Sequence, residues 1–529
     1  MRARPVAERW RILLALYGVL NAAAYALLLP LWEGFDEAQH YGYVQSLSTN
    51  RKFPVLGQAT LSREIWHSLQ LVPVSHFLQP HLGAPVSFRD YFEFTQEERT
   101  RRRQELDSIP AGEQYQPQPG TRSYEVNQSP LPYLGMALVD RLLSGAPLTT
   151  RVRWLRLLLS LAAVLLLWHA ALLLARQLSL ADGYAGAVLF CVFSSQMLYA
   201  AACHVSNDAL AVPLFCYLVW ATIRAHETGS RRDCLWLGLL LSAVLLTKAY
   251  FLVLVPLALA VVGWGLWRRR ASLAAAALFA APVALLAGPW YVRNVVLYRS
   301  LGATVEQTAG LGPKQLLEAA LALPWGKSIV YMAHSSLWTG NNSFTAFSST
   351  TLNLVLLLLA AGLCFYVFHR PWRPPERVTI AAIVMFCASL AYVSVTFFAG
   401  SKGGAFAAVP WYMQGLLAPV LLLAFLGMSR AGRWGAVLAR LTVLLWGYVL
   451  AATWLAKLIP LYGGFPESRA RLSSLWAWYL HDGAQRDGIL RALCLASPAV
   501  LWALIGAVIV LDVVLCLSFV RAANTRQPA

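Results

Sequence analysis

The sequence predicts an all-α protein of about twelve transmembrane helices, and three observations carry that prediction. Hydrophobic residues make up 58% of the chain and charged residues only 13%, a balance unsuited to a water-soluble domain. Apolar runs near twenty residues recur throughout, the length that carries a helix at ~1.5 Å per residue through ~30 Å of hydrocarbon. The net charge of +18 lies in short Lys and Arg clusters between those runs, as the positive-inside bias arranges it, so no nucleic-acid partner is expected.

The first apolar run, Ile12 to Leu31, follows Arg2, Arg4, Arg9 and Arg11, with no small-residue cleavage site after it. It is expected to remain as the first helix. Residues 153 to 176 are read as the second. Tyr184 to Ile223 is about forty residues, roughly 60 Å if continuous, so the chain must turn within it. The polar "HVSNDAL" puts that turn at His204 to Asp208. Leu235 to Trp267 is interrupted by Thr247 and Lys248 in "LLTKAYF", which predicts two short helices meeting at Lys248. Further crossings follow to the C-terminus. The N-terminal arginines and the clusters at Arg224 to Arg232, Arg268 to Arg270, His369 to Arg377, Arg430 to Arg440 and Arg521 are read as cytoplasmic.

This parity leaves Trp32 to about Thr150 as one long external loop. Within it Pro130 to Gly145 is too short to cross and suits an interfacial amphipathic helix. Asp36 to Asn50 suits another, with Ala38, Tyr41, Val44 and Leu47 forming an apolar stripe. The cysteines lie in, at the ends of or just ahead of apolar runs and form no CxxC pair, so neither a disulfide framework nor a zinc knuckle is indicated.

Asp36, Glu37, Gln128, Asp208, Lys248 and Arg293 all fall at outer helix ends by this count. Ionisable groups near a bilayer are costly and usually line a functional cavity. In chain order, "FDEAQHYGYV", "YEVNQSPLPYL", "HVSNDALAVPL", "LLTKAYF" and "GPWYVRNVVLYRSLG" resemble motifs of the polyprenyl-phosphate-sugar-dependent membrane glycosyltransferases of superfamily GT-C, in the branch of protein O-mannosyltransferases and aminoarabinose transferases. The resemblance covers roughly residues 1 to 310. It implies a GT-C-like catalytic module there, with external loop 32–152 carrying juxtamembrane helices, and a second transmembrane region over 311–529. Two departures stand out: Gln128-Ser129-Pro130 replaces the family's QPP, and "QGLLAP" from Gln414 replaces "QGRYLLP". Beyond about residue 430 nothing matches.

The resemblance implies sugar transfer from a polyprenyl-phosphate donor to a hydroxyl on a glycan, lipid or protein acceptor. It also implies an outward-facing site in a cell inner or plasma membrane. Asp36 matches the family's catalytic base, with Glu37 orienting it or binding a divalent cation; a helix N-cap is the plainer alternative for Asp36. Lys248 and Arg293 are phosphate candidates, against simple snorkelling to headgroups. Gln128, Asn207, Asp208 and Asn294 are substrate-binding candidates, although Asp208 could equally cap a turn or pair with Lys248. His40 beside Glu37 is the candidate metal ligand, against an ordinary hydrogen-bonding histidine. Aromatic and amide residues in the loop Thr304 to Thr350, including "SLWTGNNSF", suit an acceptor site or an interfacial belt equally. A lipid-linked-sugar transporter or flippase, or an oligosaccharide polymerase or ligase, is the competing class.

Overall fold

The computed structural model describes residues 4–50, 52–76, 78–303, 310–337, 343, 345–369, 372–465 and 471–522. Its regular structure there is helical, with two isolated β-bridges, Ser62 to Pro117 and Val74 to Ser87. Among the described residues ten helices are long and apolar enough to cross a bilayer, and eleven if the bent pair Asp182–Ser194 and Gln196–Ala202 is one crossing. The chain is a polytopic membrane protein. The twelfth expected crossing is the helix Arg231–Leu245, whose 15 residues span only ~22 Å and stop short of ~30 Å of hydrocarbon.

The helices that position the site are α1 (Arg4–Leu28), α2 (Glu37–Asn50), α3 (Leu131–Leu142), α4 (Leu148–Gln177), α5 (Asp208–Thr228), α6 (Arg231–Leu245) and α7 (Gly288–Tyr298). Helix α1 lies against α4 and the final helix Pro498–Ala522, and α5 lies between α4 and α6. Gly229 turns α5 into α6. Its φ of 58° is left-handed, and an added Cβ would lie 2.6 Å from the Arg270 carbonyl oxygen, so only glycine fits. Ser230 then caps α6 by accepting from the Asp233 backbone N–H.

Both expected breaks occur. Residues 203 to 207 turn the chain before α5, and α6 ends at Leu245, ahead of Lys248 and a 3-10 turn, Ala249–Leu254. A further bend of 59° at Ser195 was not anticipated. The long loop after α1 is a folded assembly with short helices at Arg63–Leu71, Phe88–Glu93 and Gln96–Asp107, each started by a Ser or Thr N-cap.

The two candidate interfacial helices behave differently. Helix α3 buries Tyr133, Met136, Ala137 and Asp140 and leaves Leu131, Leu134, Leu138 and Leu142 exposed, a one-sided apolar face that suits a bilayer surface. Helix α2 corrects its expectation: Ala38, Tyr41, Val44 and Leu47 are buried, but so are Glu37, Gln39, His40, Gln45 and Ser48. Neighbouring polar groups cover its second face. Its stripe reported one contact surface among several.

Candidate functional site

The turn between α1 and α2 carries Glu33, Asp36 and Glu37, and the structure gives each carboxylate a different environment. Glu37 is fully buried: Arg156 of α4 donates Nε to one oxygen at 2.7 Å and Nη2 to the other, and the Val205 backbone N–H donates at 2.9 Å. This carboxylate is committed to an ion pair. Glu33 is also buried and accepts from the Ser343 backbone N–H at 2.6 Å. Burial pushes its carboxyl up to about 7.

Asp36 differs from both because it stays partly exposed among buried neighbours. Its φ of 53° puts the backbone in the left-handed region, which Asp tolerates better than most residues. Its Oδ1 accepts from the Tyr124 hydroxyl at 2.6 Å. Burial raises this carboxyl above the ordinary aspartate range, while the Tyr124 hydrogen bond and the charge of Lys248 pull the other way. An N-cap normally has extended backbone and accepts from the following turn, so the capping alternative does not describe Asp36.

Three of the other motifs meet here. Asn207 Nδ2 donates to Gln128 Oε1 at 3.1 Å and to the Thr247 carbonyl at 3.0 Å, joining the turns before α3, before α5 and after α6. Tyr291 of α7 donates to the Leu245 carbonyl at 2.9 Å and ties the "WYVRN" helix to the same place. Lys248 Nζ lies 2.7 Å from Asp208 Oδ1, both side chains buried, and 4.5 Å from the Tyr412 ring centroid. Lys248 is therefore neutralised and packed under an aromatic ring. Of the two phosphate candidates it is the less available.

Arg293 is the more available. Its Nη2 donates to the Pro54 carbonyl at 2.7 Å, and its guanidinium sits 4.8 Å from the Trp290 ring, with Phe53 and Tyr298 beside it. Its Nη1 is buried with no hydrogen-bond partner among the described residues. Asn294 points inward instead and donates to the Leu301 carbonyl at 3.0 Å.

The two residues expected at a metal each face another partner. His40 Nδ1 pairs with the Tyr133 hydroxyl at 2.7 Å, and Glu37 faces Arg156. No group of three or more His, Cys, Asp or Glu among the described residues could hold a metal ion. Burial holds the His40 imidazole below its ordinary range, so it sits neutral beside Tyr133.

Sequence reasoning missed Tyr124, Glu125 and Arg156. Glu125 Oε2 lies 3.7 Å from His40 Nδ1, and burial, reinforced by the Asp36 charge, pushes its carboxyl up to about 8. A charged residue inside the apolar run of α4 was the available signal for Arg156. A shallow cleft lined by Leu31, Val72, Arg102, Arg103 and Thr149 lies elsewhere and contains none of these groups. Its lining holds no carboxylate or histidine. In "SLWTGNNSF", residues 338–342 and 344 lie outside the described residues.

The sequence matches no family model and no curated protein. Two solved structures are similar in shape. The crystal structure of ArnT from Cupriavidus metallidurans bound to undecaprenyl phosphate is 14% identical, covers 97% of this chain and 76% of its own, and has a TM-score of 0.47. The apo structure of ArnT from the same organism is 15% identical, covers 82% and 71%, and has a TM-score of 0.36. Likeness at that level assigns the chain neither family nor activity. Its own residues bring together a partly exposed carboxylate at Asp36, a Lys248–Asp208 ion pair, and an arginine, Arg293, whose Nη1 has no hydrogen-bond partner among the described residues.

Proposed function

We propose that the protein is a GT-C-type glycosyltransferase that moves a sugar from a polyprenyl-phosphate lipid to an acceptor hydroxyl on the external face of the membrane. The observation that carries this reading is the contrast between Asp36 and Glu37. Adjacent in sequence, one is locked by Arg156, and the other stays partly exposed and, among the described residues, accepts from the Tyr124 hydroxyl alone. A general base needs that freedom.

In the transfer, the acceptor oxygen attacks the anomeric carbon while its proton passes to Asp36. The bond from that carbon to the phosphate oxygen breaks, and the lipid phosphate departs with the electron pair. Arg293 suits the phosphate because its Nη1 is unpartnered and a guanidinium donates along two parallel directions. Next to it Val292 and Val296 are exposed at 64% and 65%, an apolar strip along which a polyprenyl tail can lie in the bilayer. The external placement rests on the basic clusters, which gather at the opposite helix ends from Asp36, Lys248 and Arg293.

Purified protein in lipid nanodiscs, incubated with radiolabelled polyprenyl-phosphate sugars, should release lipid phosphate when an acceptor is present. Asp36→Asn should lower that rate by ~10²- to 10⁴-fold and still bind the donor. Release by Asp36→Asn at the native rate, or none from the native protein with any donor, would overturn the proposal.

A further inference from the structure

We infer that Tyr124 is the positioning residue for Asp36, setting which carboxylate oxygen faces the acceptor. The inference rests on the function proposed above and adds a residue to it. Tyr124 lies 88 positions along the chain and immediately precedes a short 3-10 turn, Glu125–Asn127. Its hydroxyl donates to Asp36 Oδ1, and among the described residues no second donor reaches that carboxylate. Oδ2 is left for the acceptor.

The tyrosine is itself held against the first turn of α2. Its backbone N–H donates to the Gln39 side-chain oxygen at 3.3 Å. Val126 is buried beside it, and Asn127 donates to the Ala303 carbonyl at 2.8 Å. The segment is thus anchored on both sides of the hydroxyl that meets Asp36. The ring has the opposite environment: Tyr124 is 44% exposed. A tyrosine present only to fill the core would bury its ring and leave its hydroxyl wherever water reached it. Here the residue is 44% exposed and its hydroxyl is directed at Asp36.

Asp36 needs such a partner. Glu37 is immobilised by an ion pair, whereas Asp36 sits on a left-handed turn and, among the described residues, its carboxylate has the Tyr124 hydroxyl as its one hydrogen-bond donor. That bond fixes one oxygen and aims the other.

The test uses Tyr124→Phe, Asp36→Asn and the double variant, each full length in nanodiscs, with the kcat of transfer and the affinity for undecaprenyl phosphate measured. Tyr124→Phe keeps the ring and should lower kcat about ten- to hundredfold, the usual worth of a hydrogen bond to a charged group, with lipid affinity unchanged. In the double variant the tyrosine substitution should cost nothing further, because the oxygen it positions is no longer a base. Gln39→Met, which loosens the tether and leaves the hydroxyl, should lower kcat in the same direction by less.

Native kcat in Tyr124→Phe alongside an inactive Asp36→Asn would overturn the positioning role and leave the proposed function standing. Lost lipid affinity, or full additivity in the double variant, would also overturn it. An active Asp36→Asn would instead remove the proposed function beneath it.

Discussion

Arg156 grips both carboxylate oxygens of Glu37 and also donates to the Pro30 carbonyl at 2.9 Å, so one buried side chain closes the whole turn from α1 into α2. Removing one partner of a buried pair typically costs ~3 to 5 kcal/mol, because the other charge is left uncompensated. Glu37→Gln and Arg156→Met should each lower the thermal unfolding temperature markedly. The double variant Glu37→Gln with Arg156→Met should recover part of the loss. If Glu37→Gln keeps native stability and loses transfer, Glu37 belongs to the chemistry after all.

Lys248 and Asp208 behave as a second such pair. Lys248→Met leaves the Asp208 carboxylate buried beside the base, and both stability and transfer should fall. Asp208→Asn combined with Lys248→Met should restore stability to within ~1 kcal/mol of the native protein, since two neutral groups of similar volume replace the pair. Unfolding curves of the single and double variants decide this. Failure of the double variant to regain stability would assign Lys248 a contact beyond Asp208.

Arg293→Gln should weaken affinity for undecaprenyl phosphate by about ten- to hundredfold, the loss of a charge-assisted contact, with little change in unfolding temperature. Lys248→Met should weaken it less. The reverse order in a lipid-binding titration would move the phosphate to Lys248.

Stability should also depend on pH through Glu33. Its ordinary value is 4.5 and burial raises it to about 7. The folded chain therefore holds a proton that the unfolded chain has released between those values. The contribution is full below about 4.5 and is lost as pH rises to about 7. The unfolding temperature of the native protein should fall across that window more steeply than that of Glu33→Gln, and the two curves should run parallel above it. Parallel curves at every pH would mean that Glu33 titrates alike in the folded and unfolded chain.

The breaks at Asn207 and Lys248 were legible because a polar residue inside a run too long for one crossing leaves the chain little choice. The helix ends carrying Asp36, Gln128, Lys248 and Arg293 followed from the same reasoning. What joins those ends did not. Periodicity in α2 marked Ala38, Tyr41, Val44 and Leu47 as one face but gave no sign that Gln39, His40 and Gln45 would be covered too. The division of labour between Asp36 and Glu37 depends on Arg156, 119 residues further on, and on Tyr124, 88 residues on. Neighbouring carboxylates look alike until their distant partners are known. Pairing of Lys248 with Asp208 stood in the sequence beside the phosphate role, and only the 2.7 Å approach of the two side chains decides that they meet.

Helix α4 bears a second buried arginine. Arg151 meets Glu64, Asp140 and the Tyr41 hydroxyl, while Arg156 meets Glu37. The two arginines lie five residues apart, ~7.5 Å along one helix axis and ~140° apart around it. One end of this gauge is fastened to the turn beneath the base and the other to the folded segment that follows α2. The distance and angle between those two parts are therefore machined into a single rigid rod. An inserted residue between the two arginines would turn one grip by ~100° relative to the other, so the rod tolerates changes of side chain on its lipid face far better than any change of length.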